Sequence, residues 1–329
     1  MSVGTDIAHA ASVLRGGGLV AFPTETVYGL GADASSPPAV ARVFAVKGRP
    51  RAHPLIVHLA AAEQIDAWAE TPGDAARALA AAFWPGPLTL IARRARHVLD
   101  DVTGGAPTVA LRVPSHPMAQ ALLAAFGDGV AAPSANRFGA VSPTTAAHVV
   151  TDLGAEVDYV LDGGACEVGI ESTIIDVSGG TPALLRPGGI SREAIEAVLG
   201  CTLAIGSSAP APGTLPSHYA PHARVIAVAA GELAAAAAAA AGDAESGSVA
   251  VLAPAAVLAA TTLPAGVTAV ALPDDPAAMA HQLYAALRDL DGRGFATIVA
   301  ALPADAGLGA AIADRLRRAA GPRLENDLG

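Results

Sequence analysis

The 329-residue sequence predicts an α/β protein in two parts. A mixed sheet layered with helices is expected over residues 1–205, and a smaller doubly wound parallel domain over 223–329. Three observations carry this. Short apolar runs alternate with alanine-rich stretches of helical length, the pattern of α/β layering. Several successive runs in the first part lie too close together for a crossover helix, so that sheet must contain antiparallel neighbours. A stretch rich in Pro, Gly and Ser, G-S-S-A-P-A-P-G-T-L-P at 206–216, then breaks the pattern and opens a linker read over 206–222.

In the first part the strands are expected at Leu19–Phe22, Leu55–Leu59, Leu88–Ala92, Val109–Val113, Tyr159–Leu161 and Thr173–Val177. Helices are expected near Ala8–Arg15, Pro38–Val46, Ala61–Trp68, Asp74–Phe83, Pro117–Phe126 and Thr144–Leu153. After the linker, Arg224–Val228, Ser248–Leu252, Val267–Leu272 and Thr297–Ala301 read as buried strands. Helical stretches at Glu232–Ala241, Pro276–Leu290 and Leu308–Ala319 separate most of them, which is the doubly wound pattern. The uncharged stretch Ser246–Pro273 is the most membrane-like, yet Pro254, Thr261, Thr262, Pro264 and Gly266 interrupt it and alanine supplies much of its apolarity. It reads as strand, short helix, strand. The alanine run Ala234–Ala241 reads as an undemanding surface helix.

Aromatic residues make up only 4% of the chain against 52% hydrophobic, so small aliphatic side chains build the core. The formal charge of −10 opposes general affinity for nucleic acid or an anionic membrane, which basic residues drive by displacing counterions. Cys166 and Cys201 lie far apart and outside any C-x-x-C pair, so neither a disulfide framework nor a zinc site is indicated, and a reducing cytoplasm fits. The N-terminus has no basic start followed by an apolar run and does not read as a signal peptide.

Among the twenty Lys and Arg residues only Lys47 is lysine. Two readings are open: a surface lysine that survived in an arginine-rich composition, or a position that needs a compact ammonium rather than a planar fork. Lys47 sits in an acid-free window, 34–62, with Arg42, Arg49, Arg51, His53 and His58. This window is either a solvated basic face or one side of a binding site. In T-V-A-L-R-V-P at 108–114, strand alternation puts Thr108 and Arg112 on one face, turned to a core or to a cavity. In A-P-S-A-N at 132–136, Ser134 and Asn136 share a side. G-I-E-S-T at 169–173 sets Glu171, Ser172 and Thr173 at the mouth of an apolar strand, and L-R-P-G-G at 185–189 puts Arg186 on a turn. If Lys47, Arg49, Arg112 and Arg186 converge, an anionic ligand such as a polyphosphate supplies the missing counter-charge, because a buried unpaired cation is costly. No G-x-x-x-x-G-K-S/T loop is present. The match of Gly29, Gly31 and Ala34 to G-x-G-x-x-A lacks the acidic partner about twenty residues on. No nucleophile or metal signature appears, so catalysis by positioning and charge stabilisation is expected.

Taken in order, these motifs resemble the L-threonylcarbamoyladenylate synthases of the YrdC-like fold, in their long two-domain form. The resemblance rests on G-G-L-V-A-F-P-T-E-T-V-Y-G-L-G at 17–31, K-G-R-P-R-A-H-P-L-I-V-H at 47–58 and F-W-P-G-P-L-T-L at 83–90. It continues through 108–114, 132–136, S-P-T at 142–144, D-G-G at 162–164, 169–173 and L-R-P-G at 185–188, and S-H-Y-A-P-H at 217–222 is similar to the segment that marks the long form. It implies a YrdC-like twisted mixed sheet with helices around a basic cavity, followed by a Rossmann-like domain. It also implies the reaction of L-threonine, bicarbonate and ATP to threonylcarbamoyl-AMP, pyrophosphate and water, with Mg2+ carried on the ATP phosphates. The product feeds a separate transferase system that modifies tRNA. By motif, Thr26, His58, Arg112, Ser134 and Ser172 are implied to bind threonine, with Arg112 on its carboxylate. Lys47, Arg49, His53, Thr108, Asn136, Thr144 and Arg186 are implied to bind ATP, Lys47 and Arg49 being the catalytic cations, and Tyr219 to fold over the nucleotide as part of a lid. His53 stands where the family often has asparagine. The alternative reading is an RNA-binding module of the same fold without synthase activity, which the acid surplus and the lack of interleaved aromatics oppose. A carbamoyl transferase of the hydrogenase-maturation type would need zinc-finger cysteines that this chain lacks.

Overall fold

Eleven strands of the first part join in one mixed sheet. They are β1 (Ser2–Gly4), β2 (Val20–Phe22), β3 (Gly29–Asp33), β4 (Ile56–His58), β5 (Leu88–Arg93), β6 (Thr108–Arg112), β7 (Val130–Ala131), β8 (Tyr159–Leu161), β9 (Thr173–Asp176), β10 (Ala183–Arg186) and β11 (Ala204–Ile205). Their order is β1-β8-β2-β3-β7-β4-β6-β5-β9-β10-β11. The tightly joined neighbours β2/β3 and β9/β10 are antiparallel, as their short connections require, and so is β5/β6, whereas β4/β6 and β5/β9 are parallel. The computed structural model describes residues 2–213, 218–243 and 247–322.

Period-2 alternation along β2 builds the two sides of this sheet. Leu19 and Ala21 enter one apolar cluster with Val43, Phe44, Val57, Leu90 and Leu111, while Val20 and Phe22 enter another with Leu14, Leu122 and Leu161. The helix Ile7–Arg15, capped by the Asp6 carboxylate accepting from the His9 N–H, closes the second cluster together with the helix Pro117–Phe126. Each such leucine or phenylalanine contributes about 1.5–3 kcal/mol by burial. All six strands expected in the first part are present, with ends shifted by at most one residue. The sequence reading omitted β1, β3, β7, β10 and β11, which are short or glycine-rich. In β3 the glycine is required by packing: a Cβ on Gly31 would lie 2.8 Å from both the Phe22 ring and a Val130 methyl group.

The second sheet consists of β12 (Arg224–Ala229), β13 (Val249–Pro254), β14 (Thr268–Leu272) and β15 (Thr297–Leu302), all parallel in the order β12-β15-β13-β14. The uncharged stretch after Gly247 forms β13, the helix Ala255–Ala259 and β14. Among the described residues no helix is long and apolar enough to cross a membrane. The alanine run does more than decorate a surface. In the helix Leu233–Gly242, Leu233, Ala237 and Ala240 are buried against Val249, Val251, Ala253, Val299 and Ala301, and only small side chains let the backbone approach that closely.

The chain divides into two units, residues 1–138 with 142–214 and residues 139–141 with 215–329. Residues 206–213 of the linker therefore belong to the first unit and 218–222 to the second, while 214–217 lie outside the described residues.

Candidate active site

Strand register assembles one candidate face in the first unit. Thr108, Ala110 and Arg112 alternate along β6. Arg93 and Ile91 of β5 stand opposite Thr108 and Ala110, Ile56 and His58 of β4 opposite Ala110 and Arg112, and Ile174 and Asp176 of β9 opposite Thr89 and Ile91. The face has a polar end at Arg112 and an apolar middle in which Ile56, Ile91, Ala110 and Ile174 pack with Ala211 of the linker. At its other end, past Thr108, a cavity of about 560 Å³ is lined by Arg93, Arg94, Arg96, Asp176 and Ser208.

Arg112 is 4% exposed and its guanidinium is held on three sides. Nη1 donates to Thr26 Oγ1 at 2.8 Å, Nε to the Gly86 carbonyl at 3.4 Å, and Nη2 lies 2.8 Å from Glu25 Oε1. The Thr26 hydroxyl is fixed in turn by Thr24 at 2.8 Å, and Glu25 Oε2 accepts from the Ser115 N–H at 3.1 Å. His58 is buried beside Arg112, with Nδ1 3.2 Å from the Ile56 carbonyl and its ring edge-on to Phe22. Burial first, then the Arg112 charge, pulls its pKa down to about 3, so the imidazole is neutral at pH 7. On the adjoining strands the Ser172 hydroxyl meets Thr89 Oγ1 at 2.7 Å. Arg186 donates to the Ser172 carbonyl at 2.9 Å, to its hydroxyl at 3.2 Å and to the Pro212 carbonyl at 3.1 Å. The turn after Arg186 depends on glycine, since a Cβ at Gly188 would fall 2.4 Å from the backbone of Glu171, Ser172 and Thr173.

A second polar group forms around Lys47. The helix Pro37–Lys47 ends there because Gly48 adopts a left-handed conformation, with φ 63°, and its N–H caps the Ala45 carbonyl. Lys47 is 2% exposed, and its Nζ donates to the Ser134 carbonyl at 2.6 Å and the Asn136 carbonyl at 2.5 Å. The Lys47 carbonyl accepts from the Phe138 N–H at 2.8 Å. Arg49 donates to the Pro54 carbonyl at 3.0 Å and lies over the Phe138 ring, which also meets the His53 ring. Burial, then the Arg49 charge, holds the Lys47 pKa well below the usual lysine value. The same causes lower His53. Asn136 turns its amide to the Arg137 carbonyl at 2.8 Å, and the buried Thr144 contacts His148.

The structure thus gathers Arg112, Thr26, His58, Ser172 and Arg186 around β5 and β6, and Lys47, Arg49, His53, Ser134 and Asn136 around the helix end. Segment 26–30 lies between the two groups: Gly29 bridges to Ser134, and the Tyr28 carbonyl accepts from the Ala135 N–H. Thr108 stands at the far end of the face, against the arginine-lined cavity. Tyr219 belongs to the second unit. It is buried at positive φ, 62°, stacked on Tyr284 and lying under the Arg315 guanidinium. Sequence reasoning missed Glu25 and Thr89 as site residues, although both lie inside quoted motifs. A carboxylate that partners a buried arginine is invisible until the strands are paired.

The chain is similar to known proteins along most of its length. A family described as "Telomere recombination" matches residues 12–188, and one described as "Threonylcarbamoyl-AMP synthase, C-terminal domain" matches 190–321. The threonylcarbamoyl-AMP synthase of Pyrococcus abyssi is 41% identical over 97% of this chain and 95% of its own length. The chain belongs to the threonylcarbamoyl-AMP synthase family. The Bacillus subtilis member is 46% identical over 66% of this chain and 65% of its own. The crystal structure of the P. abyssi protein complexed with L-threonine superposes with a TM-score of 0.89 at 38% identity, covering 97% of this chain and 98% of that one. Family membership makes the chain an enzyme, in agreement with the motif order from Gly17 to Gly188, and does not favour the RNA-binding alternative.

Proposed function

We propose that this protein is a nucleotidyltransferase that makes L-threonylcarbamoyl-AMP and pyrophosphate from L-threonine, bicarbonate and ATP. Its product supplies a transferase system acting on tRNA, in the cytoplasm. The observation that carries the reading is the buried Arg112, whose fork is organised by Thr26, Glu25 and Gly86 beside the hydroxyls of Ser172 and Thr89. It supports a carboxylate subsite lined with hydroxyl groups, which suits threonine.

In the reaction the bound threonine ammonium gives up a proton to solvent, and the resulting amine attacks the bicarbonate carbon while water leaves, giving a carbamate. A carbamate oxygen then bonds to the α-phosphorus of ATP while the bond to the β-phosphate oxygen breaks, and pyrophosphate leaves with that electron pair. Arg112 and Thr26 hold the carboxylate, and Ser134 and Ser172 face the rest of the amino acid. Neutral His58 fills the space beside Arg112 without adding a competing charge. Two N–H groups of Lys47 are spent on carbonyls and the third serves a phosphate. Arg49, Arg186, Asn136, His53 and Thr144 complete the ATP set, and Thr108 takes the nucleoside end. Stabilising charge that develops in the transition state is what buried, preorganised cations do well. Mg2+ fits this reading as a passenger on the triphosphate. Among the described residues no three His, Cys, Asp or Glu side chains gather as a metal cage, so phosphate oxygens and water would be its ligands. When bound it neutralises charge on the departing pyrophosphate.

The test is pyrophosphate release from ATP with Mg2+ and bicarbonate. Release must depend on L-threonine, and release indifferent to the amino acid contradicts the proposal.

A further inference from the structure

We propose that Glu25 makes the Arg112 subsite selective for a zwitterion, so that it takes an α-amino acid and rejects a carboxylate lacking the ammonium. The inference rests on the placement of L-threonine at Arg112. Glu25 and Arg112 are an ion pair 2.8 Å apart with both side chains 4% exposed. Their facing atoms, Glu25 Oε1 and Arg112 Nη2, are buried and make no aligned hydrogen bond to any protein group. Each partner is anchored from behind, Glu25 Oε2 by the Ser115 N–H and Arg112 by Thr26 and Gly86. The contact is therefore held by charge rather than by an aligned hydrogen bond, and a ligand with two opposite charges matches both of its ends.

Charge accounting then sets the preference. A buried guanidinium alone favours any anion. Paired with Glu25 it is net neutral; beside it His58 is held neutral by burial and burial pushes the Cys166 thiol up to about 12, while the Arg186 guanidinium is turned to the Ser172 and Pro212 carbonyls. Adding a bare carboxylate to this dry site leaves one uncompensated charge, as does adding a bare ammonium. A zwitterion adds none, since its carboxylate replaces Glu25 at Nη2 and its ammonium replaces Arg112 at Oε1. Selection comes from an element that repels the wrong ligand as well as one that attracts the right one. Glu25 thus acts as a specificity-determining residue.

Calorimetry on the full chain tests this with three ligands of one shape: L-threonine, 2,3-dihydroxybutyrate, in which a hydroxyl replaces the amine, and L-threoninamide, which lacks the carboxylate. On the unmodified protein both charged analogues bind about tenfold or more weaker than threonine. In Glu25→Gln the preference for threonine over dihydroxybutyrate collapses by about tenfold or more while ATP affinity is unchanged. Glu25→Asp, which keeps the charge, retains the preference even if both ligands weaken, and it decides the matter should Glu25→Gln lose ATP binding through misfolding. A Glu25→Gln protein with the preference intact, an equal loss of both ligands, or equal binding of threonine and dihydroxybutyrate to the unmodified protein overturns the inference. Failure of the unmodified protein to bind threonine at all contradicts the proposed function instead.

Discussion

The Lys47 ammonium lies 2.6 Å from the carbonyl oxygen of Ser134. With the Asn136 carbonyl at 2.5 Å, the backbone of A-P-S-A-N grips the one lysine of the chain through two carbonyls. A point-like ammonium fits between two carbonyls spaced two residues apart. A planar guanidinium is wider and spreads its donors in a fixed fork.

Lys47→Arg is therefore expected to keep the fold and lose turnover. Removing one preorganised donor typically costs on the order of 100-fold or more in rate. Steady-state kinetics with ATP varied, beside far-UV circular dichroism, checks it, and unchanged kcat/KM would restore the reading of Lys47 as a survivor of composition.

ATP binding is expected to take up protons. Burial holds the free Lys47 pKa well below the usual lysine value, and a triphosphate raises it again by favouring the ammonium. Between the free and bound values the complex binds more protons than its components. Calorimetry of ATP binding in buffers of different ionisation enthalpy should show net uptake, diminished in Lys47→Met.

Acid should destabilise the protein through His58. Its folded pKa, about 3, lies below the unfolded value of 6.5, so between these values the unfolded chain holds a proton that the folded one does not. The stability contributed is intact above about pH 6.5 and is lost as pH falls towards 3, at about 1.4 kcal/mol per pH unit at most. Urea unfolding at a series of pH values checks it, and His58→Gln should flatten that slope.

Gly188→Ala should injure the site from behind. The new methyl group meets backbone atoms of 171–173 at 2.4 Å, which cannot yield as a side-chain tip would. The expected loss is about 1–3 kcal/mol of stability. Displacement of Ser172 should also raise KM for threonine more than KM for ATP, which kinetics with each substrate varied will separate.

Much of the fold was legible because its periods are clean. The face shared by Thr108 and Arg112 follows from strand alternation, and the doubly wound second sheet from four apolar runs separated by helices. The elements that escaped carry weak local signals. β3 is written G-L-G-A-D, which reads as a turn until Phe22 is seen to need the missing side chains, and β7 has two residues. Of the candidate site, the cations were legible by their scarcity and by motif order. Their partners were not. Glu25 reaches Arg112 across 87 positions, and Lys47 is held by backbone carbonyls, which no residue type announces.

The most direct test of the account supplies the protein with ATP, L-threonine and 13C-bicarbonate and weighs the nucleotide product by mass spectrometry. The expected product is an adenylate carrying both threonine and one labelled carbon, formed together with pyrophosphate. An unlabelled threonyl-adenylate, or AMP with no amino acid attached, would contradict it.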